Sequence, residues 1–480
     1  MDCHVLGECR APAEPGAAEE ETTSPLALLP DDVLADILRR LPPRWLAASR
    51  CVCAAWRAAV DSRRLLRADL LPRSLGGILI NFHNYYISEL FSCPSPAGRS
   101  VSGKRRYLPD AAGCRSWGEV SDHCNGLVLV EGNDEIWYVL NPATRWVAPL
   151  PPCPAPAMDM DTLEVMYLAY DPAMPPDYEA VSFFFVRSQL DQIRRRGVHD
   201  GIDFRITATQ KWPPSIYNLQ VFSSRTGQWE ERSFAREGEA VGTVAGMRGW
   251  ASDQRNAVYW RGILYIHCQS DFVMRISLSS EKYHVIQPPT GIEVESYPQI
   301  YLGKSADGVY CASIKGRCRV QVWNLSESGS KMEWVLKHDK DLNENYGQKV
   351  RGPWTLQDIN YSYDEYEKDG NMDTSVQEEF EWSSQISVGE KSAWSSDDED
   401  IKGFYSGYMD ILGFHPFEEI IFLSESITRG LAYHLNSLEV EVLGNIYPAE
   451  YAEELGNEQF ITSSFPYTPC WLGQTADKNM

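Results

Sequence analysis

Five times between residues 124 and 448 the chain repeats one short grammar: an apolar run of strand length, a polar turn, then a second apolar run with Trp or Tyr soon after the turn. The first copy reads CNGLVLVEGNDEIWYVLNPATRWVAPLPP over 124–152. Later copies read NLQVFSSRTGQWEER (218–232), VMRISLSSEKYHVIQPP (273–289), RVQVWNLSESGSKMEWVLKH (319–338) and, more loosely, LAYHLNSLEVEVLGNIYP (431–448). Runs rich in Val, Ile, Tyr, Phe and Trp, broken by Gly, Pro, Asn and Ser, spell strands and turns. Between the copies stand further strand candidates, AVYWRGILYIHC, ADGVYCASI and ILGFHPFEEIIFL. A small sheet of four short strands cannot cover both of its own faces, so units recurring every roughly 40 to 50 residues must stack on one another. The spacing predicts a propeller-like or kelch-like all-β domain over residues 76–450. The wide gap between the copies near 139 and 221 leaves room for an insertion or a degenerate unit, and a pair of packed sheets is the alternative.

Local chemistry supports the strand reading. Asn141-Pro142-Ala143-Thr144 suits a type I turn, with Asn first and Pro second. Asn125-Gly126 and Asp307-Gly308 read as hairpin turns, because Asn and Gly accept left-handed backbone. His415-Pro416 reads as a turn before a strand rather than a catalytic pair. With 15 tryptophans in the chain, those at 146, 229, 260 and 323 are expected to pack between units rather than to cage a ligand.

Before residue 76 the periodicity is helical. Pro30-Asp31-Asp32 makes a helix entrance, since proline tolerates a position without a donor and acids suit the positive dipole end. Val33, Leu34, Ile37, Leu38 and Leu41 then recur at helical spacing, with Arg39 and Arg40 near the negative end, until Pro42-Pro43 stops the run. A second apolar series runs through Trp45, Leu46, Val52, Cys53, Trp56 and Val60, closes at Asp61-Ser62, and is followed by Leu65, Leu66 and Leu70. Three helices this short bury little apolar surface alone, which favours completion by a partner over a mere cap on the β region.

Leu29-Pro30, Ile37-Leu38, Leu41-Pro42, Arg50-Cys51-Val52-Cys53 and Trp56-Arg57 resemble, in order and spacing, the F-box pattern. Ser49 departs from it, standing where a larger apolar residue is usual. The resemblance implies docking to a Skp-type adaptor and, through it, a cullin. The adaptor-binding residues it implies are Leu29, Pro30, Leu34, Ile37, Leu38, Leu41, Pro42, Leu46, Val52, Cys53 and Trp56. Fully removing one such apolar side chain from water is worth roughly 1.5 to 3 kcal/mol. The phrases CNGLVLV, NPATRWVAPLPP, GVYCAS, VQVWNL, ILGFHPFEEIIFL and AYHLNS likewise resemble the F-box-associated region of plant, particularly grass, F-box proteins.

The expected organisation is therefore α+β and multidomain, a small three-helix F-box followed by a large all-β propeller-like domain. Its parts are a disordered tail (1–23), the F-box (24–68), the β domain (76–450) with an acidic disordered insertion (339–402), and a C-terminal tail (451–480). The insertion holds 17 acidic and 6 basic side chains, too much like charge for compact burial. Within it Ser395 and Ser396 precede an acidic run that suits an acid-directed kinase, although a solvated linker is the plainer reading.

Net charge excludes some functions. At −23 the chain repels nucleic acid phosphates, and the run Arg194-Arg195-Arg196 is too short for a nucleic-acid footprint. No run approaches the roughly 18 apolar residues of a membrane span, and nothing at the start resembles a signal peptide. Twelve cysteines scatter without a disulfide array, which reads as reduced thiols in the cytoplasm or nucleus. Cys51 and Cys53 lack the second pair a zinc site needs.

No Walker loop, G-x-S-x-G or H-E-x-x-H stands in a convincing context, so no cofactor and no catalysis are expected. The expected function is that of a substrate-recognition subunit of an SCF-type ubiquitin ligase, binding a protein target for ubiquitination. The alternatives are a non-degradative F-box scaffold, a propeller hydrolase using paired carboxylates, and a glycan or small-ligand receptor.

Overall fold

The computed structural model describes residues 30–41, 46, 49–50, 52–63, 65, 74–85, 87–94, 101, 103, 117–132, 136–154, 162–172, 177–186, 208–247, 256–290, 299–328, 331–342, 352–360, 408–449, 451 and 459–470. The chain falls into two compact units, Met1–Leu71 and Pro72–Met480. The tail 1–23, Leu29, Pro42, Cys51, Arg194-Arg195-Arg196, Ser395 and Ser396 lie outside the described residues.

In the first unit, α1 (Asp31–Arg39) starts directly after Pro30, whose φ of −54° is already helical in value. The Leu34 amide donates to the Pro30 carbonyl at 3.0 Å, closing the first turn. The second described helix is α2 (Ala54–Ser62), and Leu46 and Ser49 are helical between the two. Positions 34, 35 and 38 share one face of α1, as a period of 3.6 requires. That face forms the core of the unit with Leu46, Ala59, Val60 and Leu65, while Leu41 and Trp56 pack against its edge. Arg63 hydrogen-bonds Asp32, tying the end of α2 to the start of α1.

The second unit is almost wholly β. It opens with β1 (Gly77–Phe82) and β2 (Glu89–Ser92), followed by β3 (Trp117–Cys124), β4 (Leu127–Gly132), β5 (Trp137–Asn141) and β6 (Trp146–Pro149). Then come β7 (Thr162–Tyr170), β8 (Tyr178–Val186), the short β9 (Lys211–Trp212), β10 (Ile216–Ser223), β11 (Gln228–Glu237) and β12 (Gly242–Thr243), which pairs with β9. The helical turn α3 (Val244–Met247) precedes β13 (Ala257–Trp260), β14 (Ile263–His267), β15 (Val273–Ser277) and β16 (Lys282–Ile286). The remainder is β17 (Gln299–Ser305), β18 (Gly308–Lys315), β19 (Arg319–Ser328), β20 (Lys331–Asp341), β21 (Thr355–Leu356), β22 (Met409–Phe414), β23 (Ile420–Glu425), β24 (Arg429–His434), β25 (Val440–Asn445) and β26 (Ile461–Tyr467).

These strands make six four-stranded units, of which β3–β6, β17–β20 and β22–β25 are separate antiparallel sheets in chain order. The strands β26, β3, β7, β13, β17 and β22 touch one another in that cyclic order. A ring of units around a central axis follows, and two packed sheets do not. The units β7-β8-β10-β11 and β13–β16 merge into one eight-stranded sheet through a parallel pairing of β11 with β16. The edge strands of that sheet, β7 and β13, also meet, so the sheet is nearly closed and barrel-like. Its interior is filled by a cluster that includes Trp212, Phe234 and Tyr283, with Phe183 stacked on Tyr217 at 5.2 Å.

Two expected boundaries are corrected. Residues 451–480 are not simply a tail: β26 pairs with β1 from Gly77↔Tyr467 to Phe82↔Ile461 and completes the ring. Its Pro466 is tolerated because β26 is the edge strand of its sheet. Nor is the whole of 339–402 an insertion outside the sheets. Asp339–Asp341 end β20, and β21 adds a fourth strand beside β2 while Ile359 enters the core beneath.

The turn chemistry is as read. Asn141 Oδ1 accepts the Ala143 amide at 3.1 Å, and Thr144 N–H donates to the Asn141 carbonyl at 3.2 Å. The gap before 218 holds β7 and β8, which share a sheet with β10 and β11, while residues 187–207 lie outside the described residues. Three of the four tryptophans pack between units: Trp146 meets Tyr178 edge-on at 6.0 Å, Trp229 donates its indole N–H to the Pro151 carbonyl at 2.9 Å, and Trp260 packs on a cluster shared with Leu302 and Val309, whereas Trp323 is buried within its own sheet. Trp334 repeats the indole bond of Trp229 on the Gln287 carbonyl at 3.0 Å. No helix among the described residues is long and apolar enough to cross a membrane.

Candidate functional site

Two places among the described residues gather side chains suited to meeting a partner or ligand. The first is the outer face of the helical unit. Leu34, Leu38 and Leu46 are buried in its own core, and Ser49 is buried there as well. They shape the unit and offer no surface of their own. By contrast Val33, Ile37 and Val52 stand 45%, 46% and 62% exposed. Positions 33 and 37 lie one turn apart on α1, so their side chains adjoin. Pro30 and Cys53 are exposed as well, and Leu41 and Trp56 are half-buried. Among the described members of the set read from the sequence, Leu34, Leu38 and Leu46 are core, Pro30, Ile37, Val52 and Cys53 are exposed, and Leu41 and Trp56 lie between, a division that helical spacing alone did not give.

The second place is one end of the channel inside the ring. It is lined from the C-terminal ends of β3, β17, β22 and β26 and from β13, around a cavity of about 40 Å³. Left-handed backbone shapes two of its walls. Asn125 (φ 47°) and Gly126 (φ 96°) make the hairpin between β3 and β4, and a Cβ at Gly126 would meet the Cys470 Cβ at 2.3 Å. Gly413 (φ 127°) sits at the bulge of β22, where a Cβ would meet the Pro466 Cγ at 2.5 Å.

The Asn125 amide donates to the Tyr170 carbonyl at 2.6 Å, which aims its oxygen at Lys304. Lys304 donates to that oxygen, and among the described residues no carboxylate stands within ion-pair distance of it. Burial pulls the Lys304 ammonium below its ordinary pKa, while the charges of Cys124 and Asp171 act the other way. Burial also pushes the Asp122 carboxyl up to about 8, although it accepts the Leu168 amide at 2.7 Å. It pushes His123 down to about 3, with the Lys304 charge acting in the same direction. Among the described residues, Nδ1 of His123 and Nδ2 of Asn256 are buried with no hydrogen-bond partner. The sequence reading did not single out Lys304 or Asn256. The available signal was a lone basic residue in the otherwise uncharged strand QIYLGKS.

Elsewhere His415 accepts the Phe417 amide on Nδ1 at 3.3 Å, a turn contact as expected. Cys53 is a free exposed thiol, and among the described residues no group of three or more His, Cys, Asp or Glu can hold a metal ion.

Residues 26–69 match the F-box-like family. Three Arabidopsis thaliana proteins are similar to parts of the chain. One putative F-box protein is 28% identical over 143 residues, 26% of this chain and 36% of its own length. A second is 28% identical over 165 residues, 34% of this chain and 43% of its own length. An F-box/LRR-repeat/kelch-repeat protein is 27% identical over 132 residues, 26% of this chain and 35% of its own length. The chain therefore spans well under half the length of these relatives. Among solved structures, YjhT aligns with a TM-score of 0.24 at 9% identity, covering 48% of this chain and 66% of its own. Citrobacter koseri AztD aligns at 0.26 and 11% identity, covering 70% and 72%. The chain has an F-box-like domain and plant F-box relatives at low identity.

Proposed function

We propose that this chain is the substrate-recognition subunit of an SCF-type ubiquitin ligase. Its F-box docks to a Skp-type adaptor and through it to a cullin, and its β domain binds the protein to be ubiquitinated. The observation that carries this reading is the exposed trio Val33, Ile37 and Val52 on a unit whose core is already closed without them. A partner covering that face removes apolar surface from water at roughly 25 cal/mol per Å².

The chain itself does no chemistry in this scheme. It supplies proximity, raising the effective concentration of target lysines near the recruited conjugating enzyme. The resemblance of the β region to kelch-like, F-box-associated domains of grasses supports target binding on its inter-strand loops, where fold constrains sequence least. Such a role belongs to the cytoplasm or nucleus. Adaptor pull-down by the full chain carrying Ile37→Asp with Val52→Asp tests the docking half. Target half-life in cells with and without the protein tests the degradative half.

A further inference from the structure

The cavity at Lys304 lies within the β unit, and its lining includes the polar side chains of Lys304, Asn256 and His123. Among the described residues Lys304 spends one ammonium N–H on Asn125 and makes no other hydrogen bond. Asn256, 9% exposed, also lines the cavity and holds an amide N–H with no acceptor among the described residues. A buried donor without a partner is unfavourable unless a ligand completes it. His123 adds a second side chain, its ring Nδ1 buried with no partner among the described residues. Lys304 and Tyr259 are both partly exposed, so the cavity is reachable from solvent.

We propose that this cavity binds a carboxylate group, carried either by a small free acid or by the C-terminus of a peptide. The size allows it: at about 40 Å³ the space holds on the order of three waters, room for one planar carboxylate. The charge fits as well. With Asp122 raised to about 8 and His123 lowered to about 3, both are neutral at pH 7. Among the described residues Lys304 then faces the cavity with no paired carboxylate, and the negative charges acting on it are those of Cys124 and Asp171. A carboxylate between Lys304 and Asn256 would accept from both, and charge-assisted bonds of this kind are the strong ones.

Calorimetric titration of the full chain with acetate, with triglycine and with triglycine amide tests this. Acetate binding supports the site, and triglycine binding without amide binding identifies a peptide C-terminus as a source. Acetate binding without triglycine binding identifies a small free acid. In folded Lys304→Met the affinity should fall at least tenfold and in Asn256→Ala several-fold, while exposed Lys331→Met leaves it unchanged. Absence of binding by acetate and triglycine alike overturns the proposal, as does unchanged affinity in Lys304→Met. Should Lys304→Met lose its cooperative melting transition, unchanged affinity in Asn256→Ala alone overturns it. The adaptor is absent from this titration, so the carboxylate site and the ligase reading fail independently.

Discussion

Leu79 on β1 and Phe465 on β26 stand directly opposite one another in register, although almost the whole of the β unit separates them in sequence. Both belong to the core beneath the closing strands, with Val128, Tyr138 and Tyr467. The last strand thus completes the first sheet, and the inner strands β3 and β22 have their full neighbours only when β26 is in place.

Removing that strand should open the ring. Phe465→Ala is expected to lower stability by roughly 3 to 5 kcal/mol, as for other buried aromatic truncations. Truncation before residue 459 should abolish the cooperative thermal transition. A truncated protein that still melts sharply at the full-length temperature would refute closure by β26.

The two indole bonds that link neighbouring units predict matched, modest effects. Trp229→Phe and Trp334→Phe keep most ring area but lose the N–H bonds to Pro151 and Gln287. Each should cost about 1 kcal/mol or less in urea unfolding. A loss several times larger would mean that ring packing, not the hydrogen bond, is what these positions supply.

Buried Asp122 gives a pH signature. Burial raises its carboxyl to about 8 in the fold, against about 4 in an unfolded chain. Between those values the folded state keeps a proton that the unfolded state releases, so stability falls as pH rises through the window and levels off above it. Asp122→Asn removes this slope. The variant should gain on the parent between pH 5 and pH 8, by several kcal/mol at most. The His123 contribution has the opposite sign, since its lowered pKa costs stability as pH drops below about 6.5, and it cancels in the comparison. Equal differences in melting temperature at both pH values would show that Asp122 is already ionised in the fold.

Much of this architecture could be read in advance, and the reasons are physical. NPAT, Asn125-Gly126 and the Trp-bearing outer hairpins are local signals, set by residues a few positions apart, and they fall where expected. Ring closure is not local. ITSSFPY has the length of a strand, but only pairing with Gly77–Phe82 makes it one. The same holds for β21, two residues recruited from an acidic stretch to the edge of β2. In the helical unit the apolar period was plain, yet which side faces inward depends on where α2 lies. That placement puts Leu38 inside and Ile37 outside, one residue apart. At the channel end the hairpin was legible, whereas Lys304 and Asn256 line one cavity only because β17 and β13 are neighbours in the ring.

The division within α1 yields a contrast between adjacent positions. Leu38→Ala removes a fully buried side chain and should destabilise the helical unit by roughly 2 to 5 kcal/mol. Ile37→Ala, half exposed, should change its stability by well under that. Hydrogen exchange over residues 30–65 reads the difference, and equal protection in both variants would contradict the assigned core.

The central claim is that the exposed face of the helical unit is an adaptor-docking surface, and co-purification of a Skp-type adaptor with the full chain measures it most directly. With Ile37→Asp and Val52→Asp together, exchange over 30–65 and the melting of the β unit should stay as in the parent while adaptor recovery falls at least tenfold. Undiminished recovery from that folded double variant would contradict the claim.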